Sequence, residues 1–192
     1  MIFISLNPFV LKRVFLVLLA LVGFSCVSGY SEQLLLTVKS TPYDRQMSRI
    51  QPMLVSNDHS NHGKVSLRMV NQWIGDLRSI PYGFTAVWKT PAETQSGKPA
   101  DCKAKAVALY ERMTEHGATD VRLVIGRRTS TSRSTHAWVE WETDNGNYVL
   151  DPTINWLAYR SGDLDSRAYV PYYAFAGNRK YRAAQSTLVA QN

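Results

Sequence analysis

The sequence predicts an α+β domain, helices first and an antiparallel sheet after them, on three observations. Two segments carry apolar residues at helical spacing. Three later segments have strand length and strand residues. Gly and Asn between the last two of these mark a hairpin.

Residues 1–29 read as an export signal. Lys12 and Arg13 supply its charge, Val14 to Val22 form an unbroken apolar run, and small residues follow. The run is short for a bilayer span. Cleavage near Ser25, Ser28 or Gly29 is expected, with lipidation at Cys26 or an uncleaved membrane anchor as the alternative. An exported product belongs in the periplasm or cell envelope. Residues 30–63 are polar, with "KSTPYDRQ" and "SNDHSNHG", and are expected to form an irregular N-terminal arm, helical only near 43–50. The pair His59 and His62 sits in that polar loop, where solvation is expected, and no metal is assigned. Residues 64–192 form the domain proper, and no internal repeat divides it.

The first helix begins near Lys64. Met69, Val70, Trp73, Ile74 and Leu77 make one buried face, and Pro81 ends the segment. Residues 82–100, with Trp88, Pro91, Gly97 and Pro99, are expected to be loop. The second helix runs from Cys102 to Glu115. Asp101 is its N-cap and Gly117 its stop. The strands are "VRLVIGR" at 121–127, "THAWVEWE" at 135–142 and "YVLDP" at 148–152.

The chain carries a formal charge of +7 at pH 7 and two cysteines. Loss of Lys12 and Arg13 with the signal leaves about +5. That charge favours acidic partners or anionic surfaces. Export, and the lack of a dense Lys/Arg stripe, argue against nucleic acid. If Cys26 leaves with the signal, Cys102 has no intramolecular partner, which excludes a disulfide framework and a cysteine-rich metal site.

Cys102 opens a helix, where unpaired N–H groups concentrate positive charge and stabilise a thiolate. A buried small hydrophobe is the alternative for any lone cysteine. On strand 135–142, His136, Trp138 and Glu140 face one way, and Ala137, Val139 and Trp141 the other. Asp151 closes the next strand. A thiol nucleophile needs a base, and that base needs a third group to fix its tautomer. Cys102, His136 and Asp151 supply the three residue types. The alternatives are a half-buried bonded histidine and a turn-forming aspartate before Pro152.

"DCKAKAVALY", "HAWVEW" and "YVLDPT" together resemble the three motifs of the transglutaminase-like superfamily, and more narrowly of the bacterial transglutaminase-like cysteine proteinases. "VNQWIGDLRSIPY", "WKTPAE" and "YVPYYAF" extend the resemblance over about residues 65–176. It implies a papain-like core, with the cysteine helix packed on an antiparallel sheet. It makes Cys102 the nucleophile, His136 the base and acid, and Asp151 the orienting carboxylate. Some members of that family are periplasmic, cut surface adhesins and depend on calcium. In those members acidic residues flank the cysteine on both sides. Here Lys103 follows it, and calcium takes oxygen ligands. No calcium site is therefore carried over, and no cofactor is expected.

Trp88 is a candidate substrate contact or oxyanion donor, with a core tryptophan as the alternative. The backbone N–H of Cys102 is the better oxyanion donor on geometry. His116 suits a helix C-terminus. "RRTSTSRST" at 127–135 leads into His136 as a basic loop. It is either solvated or a lid contacting an acidic substrate. Tyr169, Tyr172, Tyr173 and Phe175 are expected in the core or the cleft wall.

The function expected is an exported thiol hydrolase that cuts a peptide or isopeptide bond through a cysteinyl thioester, with a protein or peptide as its substrate. Acyl transfer to an amine, a cell-wall peptidase of the other Asp-Cys family, and a non-catalytic binding module on the same fold are the alternatives. The hairpin bears on the choice. A two-residue Asn145-Gly146 turn sets Asp151 opposite Glu140, too far from His136. A four-residue loop, Glu142 to Asn145, or a bulge at Gly146, brings Asp151 to His136.

Overall fold

The computed structural model describes residues 35–55 and 64–184. The expected export signal, residues 1–29, and the pair His59 and His62 lie outside them. Among the described residues, seven strands form one antiparallel sheet: β1 (Leu35–Val38), β2 (Val121–Thr129), β3 (His136–Thr143), β4 (Gly146–Leu150), β5 (Tyr159–Arg160), β6 (Ala168–Ala176) and β7 (Arg179–Ala183). Their spatial order is β1-β7-β6-β2-β3-β4-β5. The helices are α1 (Gln51–Val55), α2 (Leu67–Ser79), α3 (Pro91–Thr94) and α4 (Cys102–Glu115).

The two long helices form where the sequence places them. Ser66 caps α2 by accepting a bond from Met69 N, and Val70, Ile74 and Leu77 are its buried stripe. Ile80 turns extended ahead of Pro81 and ends the helix. Asp101 caps α4 by accepting a bond from Ala104 N at 3.1 Å. Beyond its end, Gly117 adopts φ +88°, a left-handed conformation that glycine reaches without steric penalty.

Between these helices the expected loop contains α3. Thr90 and Glu93 form a capping box there, and Pro91 takes the first helical position, where its missing N–H is harmless. The described part of the expected irregular arm, residues 35–55, is also structured. β1 pairs with β7 at the sheet edge, and Met47, Ile50 and Leu54 are fully buried. These three carry the 3–4 residue spacing of a helical face, which the surrounding polar residues obscure.

α4 lies across β2 and β3. Ala106, Leu109 and Met113 share the main core with Leu123, Ile125, Ala137, Val139 and Trp141. The alternation along β3 puts Trp138 on the other face, in a second cluster with Val124, Val149, Tyr169 and Ala174. Phe175 is in the main core, Tyr169 is buried in the second, and Tyr172 and Tyr173 are partly exposed. At Gly126, paired with His136, an added Cβ would collide with the Val170 carbonyl oxygen and the Pro171 Cα. The absence of a side chain therefore lets β6 close on β2 beside His136, where the ladder shifts register between Ile125 and Gly126.

The hairpin takes neither register considered from the sequence. Thr143 pairs with Gly146 around a two-residue Asp144-Asn145 turn, and Val139 pairs with Leu150. Gly146 sits at φ +117°. The Thr143 hydroxyl closes the turn, donating to Gly146 O at 2.9 Å and accepting from Asn145 N at 3.1 Å. The turn thus falls one residue earlier than the Asn-Gly signal suggests, because Thr143 supplies the bonds that fix it. Continued by one residue, this ladder sets Asp151 opposite Trp138, diagonal to His136.

Candidate active site

Three elements end at one place: the start of α4, the start of β3 and the end of β4. Cys102 is the first residue of α4, partly buried and packed against the main core. Its N–H belongs to the first helical turn, which has no intrahelical acceptor. The N-cap carboxylate of Asp101 is fully buried. It also accepts from Thr85 N at 3.2 Å and from the Lys103 ammonium, which in turn donates to Thr85 O at 3.0 Å. One buried carboxylate therefore ties the start of α4 to the loop that precedes it.

His136 is the first residue of β3, its side chain 12% exposed. Its Nε2 lies 2.7 Å from Oδ2 of Asp151, which is fully buried just past the end of β4. Diagonal positions on paired strands are about 7–8 Å apart, and a histidine with an aspartate spans that gap. Nδ1 is left for other partners. Burial disfavours charge on the imidazole. The hydrogen bond to Asp151, a hydrogen bond with the Cys102 thiol and the charges of both groups outweigh it, and the pKa rises to about 9. Cys102, His136 and Asp151, singled out in the sequence, are thus brought together.

Asp151 has further partners. Oδ2 accepts from Tyr169 Oη at 3.0 Å, and Oδ1 accepts from Thr153 N at 2.9 Å. Tyr169 Oη in turn accepts from Asn155 Nδ2 at 3.0 Å. Burial, with the Asp151 charge and hydrogen bond, raises the Tyr169 pKa, so its hydroxyl stays a donor. Trp138 lies beneath the group: its ring stacks with His136 at 6.3 Å between centroids and meets Tyr169 edge-on at 5.3 Å. Its own N–H donates to Glu140 Oε1 at 3.2 Å.

Sequence reasoning missed the role of Tyr169. It lies 18 residues beyond Asp151 and no local pattern links the two. The one unusual sign is conformational, φ +52° inside a strand. A non-glycine residue there is strained and is held by its surroundings. Asn155, four residues after Asp151, also bonds the Asp151 carbonyl through its own N–H.

Trp88 is elsewhere. It is 1% exposed and packed in the main core, so its ring offers no surface to a substrate, and the core alternative describes it. His116 is the C-cap of α4, its Nδ1 2.7 Å from Arg112 O. The basic loop is held rather than loose. Ser130 N donates to Arg167 O, and the Thr129 and Ser132 hydroxyls are hydrogen-bonded. Among the described residues, no group of three or more His, Cys, Asp or Glu side chains is placed to hold a metal.

No family model matches the chain. No curated protein matches it either. Solved structures do. Calcium-bound LapG of Legionella pneumophila is 13% identical with a TM-score of 0.52, over 78% of this chain and 86% of that one. The EGTA-treated LapG is 15% identical with a TM-score of 0.54, over 74% and 88%. A further LapG structure is 16% identical with a TM-score of 0.51, over 72% and 88%. At these identities the likeness is one of fold: an antiparallel sheet with a few helices, in an α+β arrangement shared with LapG.

Proposed function

We propose that this chain is an exported thiol hydrolase on a papain-like, transglutaminase-like core, cutting a peptide or isopeptide bond through a cysteinyl thioester. The observation that carries this reading is the 2.7 Å contact between His136 and buried Asp151, made where His136 also interacts with the Cys102 thiol. The fold shared with LapG is consistent with it.

In this mechanism the Cys102 sulfur, as thiolate, attacks the carbonyl carbon. The backbone N–H of Cys102 steadies the developing oxyanion. The C–N bond breaks, and protonated His136 gives its proton to the leaving amine. Water then adds to the thioester, with neutral His136 taking its proton. The C–S bond breaks, the acid product leaves and the thiolate is restored. Asp151 holds the imidazole in one orientation throughout, and Tyr169 and Thr153 N hold Asp151.

The test is alkylation by iodoacetamide across pH, followed by mass. An ordinary thiol, with a pKa near 8.5, is almost wholly protonated at pH 6.5. Cys102 is expected to label readily there. Labelling that appears only above pH 8 points to a structural thiol, and to the binding-module alternative.

The calcium of calcium-bound LapG does not transfer. Both Asp101 oxygens are already engaged, and the Lys103 ammonium beside them repels a divalent cation. Treatment with EGTA is expected to change neither the melting temperature nor the rate of iodoacetamide labelling. A fall in either on chelation shows that an ion is needed.

Export rests on residues 1–29 alone. Among the described residues no helix is long and apolar enough to cross a membrane.

A further inference from the structure

Two exposed apolar segments hang from the site. The first runs from Tyr82 to Val87. Phe84 is 78% exposed, Tyr82 and Val87 are exposed, and the segment is pinned by Thr85 N on Asp101. The second follows Asp151. Trp156 is 59% exposed, Ile154 and Leu157 are exposed, and the segment is pinned by Ile154 N and Asn155 N on the Asp151 carbonyl.

Arg78 ties the second segment to the helix end that leads into the first. Arg78, at the end of α2 and two residues before Ile80, donates to Ile154 O at 3.3 Å and sits 5.2 Å from the Trp156 ring centroid. Partial burial, and then the charges of Cys102 and Asp101, raise the Tyr82 pKa. Each ring has a cation on one face: Arg78 on Trp156, and Lys103 on Phe84 at 5.1 Å. Large apolar side chains left in water beside the residues that anchor Asp101 and Asp151 mark a contact surface.

Resting on the hydrolase reading above, we propose that these two segments are the walls of a substrate groove across Cys102. Its occupant is an extended polypeptide segment, with bulky apolar side chains near the scissile bond and an acidic residue flanking them. The rings take the apolar groups, and Arg78 behind Trp156 favours an acidic neighbour, while the Lys103 charge is already met by Asp101.

The experiment selects from a random dodecapeptide display library on the full chain carrying Cys102→Ala. Binding of the selected peptides is then measured on that chain with Phe84→Ser, Trp156→Ser or, as a remote control, Leu36→Ser on the β1 edge. All three positions are exposed, so melting temperatures should hold. Selected peptides are expected to carry two large apolar residues and an acidic one. Loss of either ring should weaken binding about tenfold or more, and Leu36→Ser should not. Peptides without apolar residues, no enrichment, or equal binding by all variants overturns the groove. The hydrolase reading fails separately: a wild-type chain that binds such peptides without cutting them keeps the groove and loses the chemistry.

Discussion

Replacing Cys102 by serine is expected to lower kcat/KM on a cleavable peptide by about a thousandfold or more, with the melting temperature within a few degrees of wild type. Serine is nearly isosteric with cysteine and tolerates the first turn of a helix. The Asp101 cap and the α4 packing do not depend on the sulfur. The chemistry does. A hydroxyl is almost wholly protonated near neutrality and is the weaker nucleophile. A serine variant with near-wild-type turnover removes Cys102 from the mechanism.

The second large effect is expected at Asp151. Asp151→Asn should reduce kcat by about 10³–10⁴-fold, the scale seen when the orienting carboxylate of such a triad is made neutral. The carboxylate accepts bonds from His136, Tyr169 and Thr153 N. An asparagine presents an NH₂ on one side, so one of those donors must face another donor. That leaves a buried group unpaired, at a cost of about 1–3 kcal/mol.

The pH dependence follows with a definite sign. The His136 pKa is raised from 6.5 to about 9 on folding, because its bonds to Asp151 and Cys102 outweigh burial. A raised pKa contributes stability in full below the unfolded value, and loses it as pH climbs through the folded one. The contribution is roughly 3 kcal/mol, present at pH 6 and gone above about pH 9. Denaturant unfolding from pH 6 to 10 should show wild-type stability falling across that window and a flatter profile for Asp151→Asn. Equal slopes would falsify the coupling of His136 to Asp151.

Local signals carried much of this protein. The cap at Asp101, the stop at Gly117 and the buried stripe Val70, Ile74 and Leu77 are short-range events, governed by backbone N–H groups and by 3.6-residue spacing. They appear in the structure as the sequence predicts. The assignment of Cys102, His136 and Asp151 to one site came from residue types and from resemblance. Each motif lies at an element end, which is legible from capping and turn residues.

The remainder depended on groups far apart in the chain. β1 has too few alternating residues to announce itself, and it is a strand because β7 offers it an edge. Trp88 has the composition of a binding aromatic and is a core residue because helices and sheet close around it. The hairpin register is a local exception: the Thr143 hydroxyl fixes it within the turn, against the stronger Asn-Gly signal.

By itself, then, the sequence determined the two long helices, where α4 begins, and that a cysteine stands there with a histidine and an aspartate downstream. Tertiary structure alone decided that Asp151 reaches His136 across a diagonal, that Tyr169 clamps it from β6, and that Thr85 N reaches Asp101. The physical reason is range. Capping and periodicity act over three or four residues and are written in the local order. A buried charge is stabilised by whatever donors the fold brings to it, and for Asp151 and Asp101 these include donors 15, 18 and 16 residues away.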